Sequence, residues 1–568
     1  MAAPSPGRFL TELESRRYQF GRAAAASAAK ILARAGRVRF PDVPSLIRFH
    51  ETLLVLRAFP PSPRVLRQCE GLLRSFWKRV EELRRAGADM DEFDPLEVSG
   101  IAGTTMQDTL GLDLVRWLVK RLPGKVEIAW DDYDDERAMG AVWPRVLPLL
   151  EEDALVEANI PWRKWLEAAQ GTKSTSAAWL AERFSELPLA DVEKSRLYDS
   201  LRMPVRWRLE NSTVSRTRNW RPVRQVFYHQ EPLITRRDVS LAEELARRPP
   251  AFLRLSRRQG ESVMDLIREV MLVRYRELYG TTLGDPRTVV RADVGRGVSI
   301  FLWNLPPERR LPLRAYVAGL TLKNGVPINY IEAIGLFEWM EVGFNTFYTF
   351  RGGEVAWIFA QVLRCLCSWM GTTCISMYPY QLGYNNDEAI ESGAFWFYRK
   401  LGFRPGRNDL VRLVEREEER IARDPKYRTP ARTLRRLAEG HAFYELPGDL
   451  GAWDGFSTRN IGLRVVRRMG KEFGGDGRHF REAAVRSLAR ALQTRVSEGR
   501  RAHAALEDFA LVAALIPELE SWSRSEKHGL IEIIAAKSGP DEIRYLHLLQ
   551  RHERLRREFL RLGKARGK

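Results

Sequence analysis

The fold class of this chain is decided by residues 394–403, which read AFWFYRKLGF. Four consecutive aromatic residues precede a charged pair and then Leu-Gly-Phe, so the segment predicts a helix that ends at Gly402. Phe403 then returns the chain to the core of a sheet. Tyr398 stands one turn before this helix end, where its phenol can donate a proton. The stretch therefore predicts an α/β domain that carries a candidate acid.

The elements before this stretch alternate between strand and helix patterns. The Asn324-Gly325 pair is the strongest turn signal among them, because a type I′ hairpin turn requires positive φ at both central residues. This succession of elements is typical of the α/β class. The predicted elements are a strand at 251–257, a helix at 261–279, strands at 298–303 and 315–322, a return strand from Ile328, a helix at 354–370, a strand at 372–377 and a helix at 387–400.

Together with Asn385, Asn386 and Ala389, the aromatic stretch resembles the C-terminal signature of the GNAT superfamily of acyltransferases. The resemblance implies a mixed sheet with helices on both faces, and transfer of an acyl group from coenzyme A to an amine. It also implies that Tyr398 protonates the sulfur and that the two asparagines contact the cofactor. The family places its asparagine closer to the aromatic stretch, at the position that Glu391 occupies here.

A second resemblance to the superfamily lies at the start of the predicted long helix, in the sequence RGGEVA. In the family, bare backbone N–H groups at this helix start hold the pyrophosphate of coenzyme A. The resemblance therefore assigns cofactor binding to Arg351, Gly352, Gly353 and Ala356. Glu354 stands where the family has its first glycine, and a carboxylate there repels a pyrophosphate. Three interpretations stay open: Glu354 turns outward, the usual donor site is lost, or the protein binds another acyl carrier.

Three glutamates are candidates for a general base, namely Glu332, Glu338 and Glu341. They lie near the strand that in the family adjoins both substrates. In the family reaction a base removes a proton from the amine, backbone N–H groups stabilise the oxyanion, and a tyrosine protonates the sulfur. An ordinary surface carboxylate is the competing interpretation for each glutamate.

The composition limits the other classes of function. Lys and Arg total 92 against 73 Asp and Glu, and the net charge of +19 favours polyanions or anionic cofactors as partners. The four cysteines form no C-x-x-C pair and lie near no histidine, so we predict no disulfide framework, no metal site and a reducing cytoplasm. No run of about 18 uncharged apolar residues occurs, so we expect no membrane span.

The chain is long enough for several domains, and we predict three regions. They are a mainly helical region at 1–237, a GNAT-like domain at 251–418 and a helical region at 430–568. Within the first region, residues 202–237 interleave arginines with aromatic residues and can bind nucleic acid, with a plain interdomain connector as the competing interpretation. An acidic run at 131–136 can ligate a cation, but its spacing favours a solvated loop.

The sequence supports three functional hypotheses. The first is a cytoplasmic N-acyltransferase that uses acetyl-CoA or another acyl-CoA as co-substrate and an unidentified amine as acceptor. The second is a degenerate GNAT-like scaffold that binds nucleic acid through arginine-rich segments, among them the basic helix predicted at 541–562. The third is a transferase whose donor is linked to RNA, which reconciles Glu354 with the positive net charge.

Overall fold

A computed structural model of the protein describes residues 5–150, 160–172, 174–448, 450–493 and 500–564. Two hydrophobic cores organise these residues. The larger core joins the first helices of the chain, the main sheet and the C-terminal helices, whereas the smaller core belongs to a small sheet in the N-terminal half. The three regions proposed from the sequence therefore share a core, and their boundaries remain predictions.

The N-terminal half combines helices with a three-stranded antiparallel sheet of order β1-β3-β2. Its helices are α1 (Pro6–Glu14), α2 (Arg22–Leu32), α3 (Val43–Ala58), α4 (Pro63–Arg74), α5 (Trp77–Arg85), α6 (Leu112–Arg121), α7 (Glu136–Val146), α8 (Trp162–Gln170), α9 (Ser176–Glu186) and α10 (Asp191–Asp199). Its strands are β1 (Thr105–Thr109), β2 (Val126–Ile128) and β3 (Pro204–Arg208). The central strand, β3, lies in the arginine-rich segment. Buried Val205 and Trp207 alternate there with Arg206 and Arg208, which is the pattern of a strand with one face on a core.

The main sheet has nine strands in the order β11-β12-β10-β9-β8-β7-β6-β5-β4. All neighbouring strands are antiparallel except β9 and β10, which are parallel. The strands are β4 (Phe252–Arg254), β5 (Val290–Gly295), β6 (Val298–Asn304), β7 (Ala315–Lys323), β8 (Val326–Leu336), β9 (Trp339–Thr346), β10 (Cys374–Met377), β11 (Arg404–Pro405) and β12 (Ala442–Glu445). The α/β class is confirmed, with sheets of mixed orientation.

The remaining helices connect these strands or follow them. They are α11 (Leu241–Ala246), α12 (Arg257–Leu272), α13 (Tyr279–Thr282), α14 (Val355–Met370), α15 (Pro379–Leu382), α16 (Asp387–Glu391), α17 (Ala394–Arg399), α18 (Asn408–Arg423), α19 (Ala431–Leu437), α20 (Thr458–Phe473), α21 (Gly477–Leu492), α22 (Arg500–Ala513), α23 (Arg524–Ser538), α24 (Glu542–Gln550) and α25 (Glu553–Gly563). No helix in the described ranges is both long and apolar enough to cross a membrane.

Helices cover both faces of the main sheet. On one face, Gly335 of β8 lies against Met370 of α14 and Leu546 of α24. On the other face, Gly280 of α13 lies against the ring of Tyr316 on β7. We call the first the helix face and the second the carboxylate face. Consecutive residues of a strand point to opposite faces of a sheet. By this rule the candidate glutamates of β8 and β9 lie on the same face as Tyr316.

The predicted hairpin at the end of β7 is confirmed. Asn324 and Gly325 both have positive φ, and Lys323 pairs with Val326 across the two-residue turn. The hairpin tip is held by the N-terminal half: the Asn324 amide donates to the carbonyl of Ala58, and its Oδ1 accepts from the backbone N–H of Phe227. The tip is therefore a contact between the sheet and the first helices.

Three predicted helices differ from the observed ones in their continuity. The helix predicted at 261–279 is shorter in the structure, because α12 ends at Leu272 and Tyr275 then has a φ of 51°. The helix predicted at 387–400 is divided into α16 and α17, because Gly393 adopts a left-handed conformation between them. The helix predicted at 541–562 is divided into α24 and α25, and His552 caps the second of these.

Candidate functional site

A split between β9 and β10 opens the middle of the main sheet. The two strands pair in parallel from Trp339 and Cys374 up to Val342 and Met377. Beyond Val342, β9 continues to Thr346 paired with β8 alone. After Met377 the chain turns away into α15 instead of extending the pairing. The split thus lies where β9 has lost its neighbour on the side of β10.

Glu341 stands beside this split on the carboxylate face and is held by two basic side chains. Its Oε1 lies 2.9 Å from Nε2 of His441, and its Oε2 accepts a hydrogen bond of 2.5 Å from Arg314. Burial alone would raise the pKa of Glu341, but the hydrogen bond from His441 and the charge of Arg314 together lower it. An ionised carboxylate only accepts, so Nε2 of His441 carries the hydrogen and Nδ1 is the nitrogen that can take up a proton.

Glu332 lies one strand away on the same face. It pairs with Gly343 in the β8–β9 register, directly at the start of the split. Its carboxylate accepts a short hydrogen bond from the hydroxyl of Tyr316. Burial, and then the charge of Glu332, raise the pKa of Tyr316, so this phenol stays protonated. The structure therefore brings two of the three candidate bases to the split.

Glu338 is the candidate base that the structure places elsewhere. It lies in the turn between β8 and β9, where its Oε1 accepts hydrogen bonds of 2.7 Å from the indole of Trp453 and from Nε of Arg556. At about 3.3 Å per residue along β9, this turn is roughly 15–20 Å from Gly343. Glu338 fastens the C-terminal helices to the sheet, and the structure does not bring it together with the other candidates.

Tyr398 lies on the helix face, in the predicted position near the end of a helix. Its ring centroid is 5.5 Å from that of Phe359 on α14 and 5.8 Å from that of Phe403. Phe359 in turn contacts Phe344, which lies on β9 beyond its pairing with β10, at 4.9 Å. Burial raises the pKa of Tyr398, so its phenol keeps its proton at neutral pH. The ring of Phe359 thus lies between Tyr398 and the residue of β9 at the split, Phe344. Tyr398 is on the opposite face of the sheet from Glu341.

The start of α14 lies against residues that follow the N-terminal helices α1 and α3. A Cβ added at Gly352 would lie 3.0 Å from the ring of Tyr18, and one at Gly353 would lie 2.8 Å from the ring of Phe59. Arg351 instead points to the carboxylate of Glu388 and stacks on the ring of Tyr348. Ala356 is buried. The residues that the resemblance assigns to a pyrophosphate therefore lie next to protein groups, although Arg351 and Gly352 are exposed.

Glu354 is buried, so the interpretation in which it turns outward is wrong. One carboxylate oxygen accepts from Arg296 and from the backbone N–H of Ile234, and the other lies 3.2 Å from Nζ of Lys323. Although burial favours the neutral acid, these partners lower the pKa of Glu354. Burial lowers the pKa of Lys323 to about 8 despite the opposing charge of Glu354. The pair nonetheless remains ionised at neutral pH.

A histidine and three phenylalanines complete this site, which we call the Glu354 cluster. His229 stacks on Phe20 at 4.8 Å and contacts Phe227 at 4.8 Å and Phe59 at 5.4 Å. Neither ring nitrogen has a hydrogen-bond partner within the described residues. Burial and the charge of Lys323 lower the pKa of His229 to about 3. The histidine is therefore neutral and serves as an aromatic ring.

The two asparagines before the aromatic stretch have local structural roles. Oδ1 of Asn386 accepts from the backbone N–H of Ala389 and caps α16, while its amide donates to the carbonyl of Tyr380. Asn385 has φ of 53°, a conformation that asparagine tolerates better than most residues. Neither observation requires a cofactor.

The arginines of the segment 202–237 are mostly engaged within the protein. Arg206 contacts Asp131 at 3.5 Å and Asp132 at 3.3 Å. These ion pairs give a structural role to Arg206 and to part of the acidic run at 131–136. Arg208 contacts Glu81 at 3.1 Å, and the buried Arg216 donates to the carbonyl of Leu96. Among the described residues, no cluster of His, Cys, Asp and Glu can hold a metal ion.

Sequence reasoning missed His441 and Arg314, the partners of Glu341. His441 precedes β12, which enters the sheet beside β10 although it lies beyond the end predicted for the domain. The only local signal was the short alternating sequence HAFYE at 441–445. The rim of the split also carries tyrosines that the sequence did not single out: Tyr378 and Tyr380 are about half exposed, and Tyr378 contacts the ring of His441 at 5.5 Å.

Comparison of the chain with protein-family models, with curated proteins and with solved structures found no match.

Proposed function

We propose that the protein is an N-acyltransferase whose reaction centre is the split between β9 and β10. The observation that carries this proposal is the end of strand pairing at Val342 and Met377, with the Glu341–His441 pair on one side and Tyr398 on the other. An amine entering from the carboxylate face would meet a thioester entering from the helix face in the gap. The proposal is also supported by α14, which connects β9 with β10, and by α17, which packs beside α14 and carries Tyr398.

In this proposal His441 is the general base and Glu341 positions it. The amine nitrogen attacks the acyl carbon, Nδ1 of the imidazole takes the proton that the amine loses, and the C–S bond then breaks. Glu341 fixes the tautomer through Nε2 and stabilises the imidazolium that forms, while Arg314 keeps the carboxylate ionised. Glu332 is the alternative base, with Tyr316 in the corresponding positioning role.

Tyr398 is the proposed general acid. Its phenol would donate a proton to the departing thiolate, and solvent would restore that proton after the products leave. A raised pKa suits this role because the group must be protonated when the sulfur leaves.

Acetyl-CoA or another acyl-CoA is the donor proposed first, but the Glu354 cluster favours a second candidate. A buried carboxylate and two aromatic rings occupy the place where the resemblance expects pyrophosphate. A donor that is recognised elsewhere, on another acyl carrier or on RNA, avoids this obstacle. A nucleic-acid donor or a scaffold role predicts affinity that falls steeply with salt, because phosphate binding releases counterions.

Calorimetric titration with acetyl-CoA at low and moderate salt separates these candidates. Micromolar binding of acetyl-CoA that persists at moderate salt supports an acyl-CoA donor. The second candidate is supported if acetyl-CoA does not bind and if RNA binds with an affinity that falls steeply with added salt. Transfer of the acyl group to a panel of amines is then followed by mass spectrometry.

Two variants test the assigned roles. Tyr398→Phe should lower turnover about 100-fold with little change in donor affinity, as expected for loss of a general acid. His441→Gln should lower turnover to a similar extent, as expected for loss of a general base. Tyr427→Phe and His528→Gln, which alter a tyrosine that donates to Glu417 and an exposed histidine on α23, are the matched controls. Unchanged turnover in both test variants would rule out the split as the reaction centre.

A further inference from the structure

A long groove lies between α20 and α21 in the C-terminal region. The two helices meet at their connection, where the rings of Phe473 and Phe480 are 4.9 Å apart. The other end of α20 is held away from α21 by α25: the amide of Asn460 donates to the carbonyl of Gly563, and Nε of Arg464 donates to that of Leu562. A cavity of about 1140 Å³ remains between the two helices.

The shape of the groove matches a helix. Its lining on α20 runs from Asn460 to Phe473 and its lining on α21 runs from Phe480 to Ala491, in both cases at helical spacing. The two walls span 14 and 12 residues, or roughly 18–21 Å at 1.5 Å per residue, which corresponds to between three and four helical turns. The wall on α21 consists largely of small residues, among them Ala484 and Ser487, which allow close approach of another backbone.

The groove has an apolar floor and a basic edge. Leu488 of α21 and residues 513–517 after α22 supply the floor, and Leu463 of α20 is 45% exposed beside it. The edge carries six basic residues, Arg464, Arg467, Arg468, Lys471, Arg561 and Lys564, against three lining glutamates at 472, 518 and 520. Arg468 is paired with Glu472 and Arg561 with Glu558, but neither Arg467 nor Lys471 has a carboxylate partner within the described residues.

We propose that this groove is a docking site for an amphipathic helix of a partner protein, with an apolar face and flanking acidic residues. A helix of about three turns fills the length of the groove, and its apolar face covers the exposed Leu463 beside the floor formed by Leu488. Its carboxylates lie against Arg467 and Lys471, which stand one turn apart on the same face of α20. Charge complementarity selects an acidic partner, because a basic helix would be repelled along the whole edge.

A synthetic peptide tests this proposal on the full chain. The probe is a fluorescein-labelled helix of about 14 residues, with leucines at i, i+3, i+4 and i+7 spacing and glutamates beside them; the control peptide has lysine at each glutamate position. Fluorescence anisotropy should show micromolar binding of the glutamate peptide that weakens with added salt, and binding of the lysine peptide at least tenfold weaker.

Two protein variants locate the binding site. The double variant Arg467→Glu, Lys471→Glu should weaken binding of the glutamate peptide at least tenfold and strengthen binding of the lysine peptide. Ser487→Trp fills the groove without changing its charge and should also weaken binding at least tenfold. Arg478→Glu, at a side chain that is 90% exposed at the start of α21, is the matched control and should bind like the unmodified protein.

Thermal unfolding of each variant confirms that it is folded before the titrations are compared. Equal binding of the two peptides, unchanged binding to the Ser487→Trp protein, or no binding of the glutamate peptide would each overturn the proposal.

Discussion

Two sites in this protein combine a glutamate, basic side chains and a histidine, and they differ in what surrounds them. In the Glu354 cluster the carboxylate has no exposed surface, and the histidine is enclosed by phenylalanine rings. Beside the split, Glu341 and His441 retain 15% and 27% of their side-chain exposure and contact each other directly. His229 has no such bond to a carboxylate.

The difference shows that access, and not residue type, separates a structural charge cluster from a candidate reactive one. A buried carboxylate with two cationic partners is costly to disturb, because removal of one member leaves the others unpaired in a medium of low dielectric constant. A partly exposed pair tolerates exchange of a proton with a bound molecule. We therefore expect substitutions in the Glu354 cluster to change stability and substitutions in the Glu341–His441 pair to change turnover.

The largest effect is expected for Glu354→Gln. This change leaves Lys323 and Arg296 without their buried counter-charge, and it should lower the free energy of unfolding by about 3–5 kcal/mol. Urea denaturation followed by circular dichroism measures this loss. The double variant Glu354→Gln, Lys323→Met removes both charges and should recover part of the stability; if it unfolds as readily as the single variant, the charges are not what holds the cluster.

The second effect concerns His229 and acidic pH. Its folded-state pKa of about 3 lies below the ordinary value of 6.5, so the unfolded chain takes up a proton on this residue at a higher pH than the folded chain does. Stability is therefore lost as pH falls from about 6.5 towards 3, by about 1.4 kcal/mol per unit. Between pH 6.5 and about pH 4 this amounts to roughly 3 kcal/mol.

Replacement of His229 by phenylalanine should remove this part of the pH dependence. The ring already lies among Phe20, Phe59 and Phe227, so His229→Phe should be at least as stable as the unmodified protein near neutral pH. Urea midpoints measured from pH 7 to 4 give the two slopes. His528→Gln, at an exposed position, should keep the original slope. An equal slope for His229→Phe would show that His229 takes up its proton at the same pH in the folded and the unfolded protein.

The smallest effect on stability is expected for Glu341→Gln. The partners of Glu341 are partly exposed, so the loss at neutral pH should be about 1 kcal/mol. Because the folded-state pKa of Glu341 is lowered, its contribution is present above the ordinary value of 4.5 and disappears as pH falls through the folded-state pKa. The variant and the unmodified protein should therefore converge in urea midpoint at acidic pH.

The turnover of Glu341→Gln also tests the difference between the Glu354 cluster and the Glu341–His441 pair. If the proposed function holds, Glu341→Gln should lower turnover at neutral pH while the protein remains folded. A variant that loses stability but keeps full turnover would instead place Glu341 in the same structural class as Glu354.

Features that depend on neighbouring residues were predictable from the sequence. The Asn324-Gly325 hairpin followed from local backbone geometry, and α14 followed from its continuous apolar pattern. The sequence also named Tyr398, Glu332 and Glu341, which the structure places on the two sides of the split. Their catalytic roles remain predictions.

Features that depend on distant parts of the chain were not predictable in this way. The burial of Glu354 requires Arg296 and Lys323, which precede it by 58 and 31 residues. The partner of Glu341 comes from residue 441, beyond a long helix, and β12 has only four residues to mark it as a strand. Breaks in helices, as at Gly393, depend on single conformations that a hydrophobic period does not reveal.

The late position of β12 in the chain matters to anyone who expresses the sheet alone. A fragment that stops at residue 418 contains β10 but not the strand that covers its outer edge. Exposed edges of this kind pair with other chains and promote aggregation. The shortest fragment that closes the sheet must extend past Glu445, and the stacking of Trp339 on Trp453 at 5.1 Å argues for a still later end.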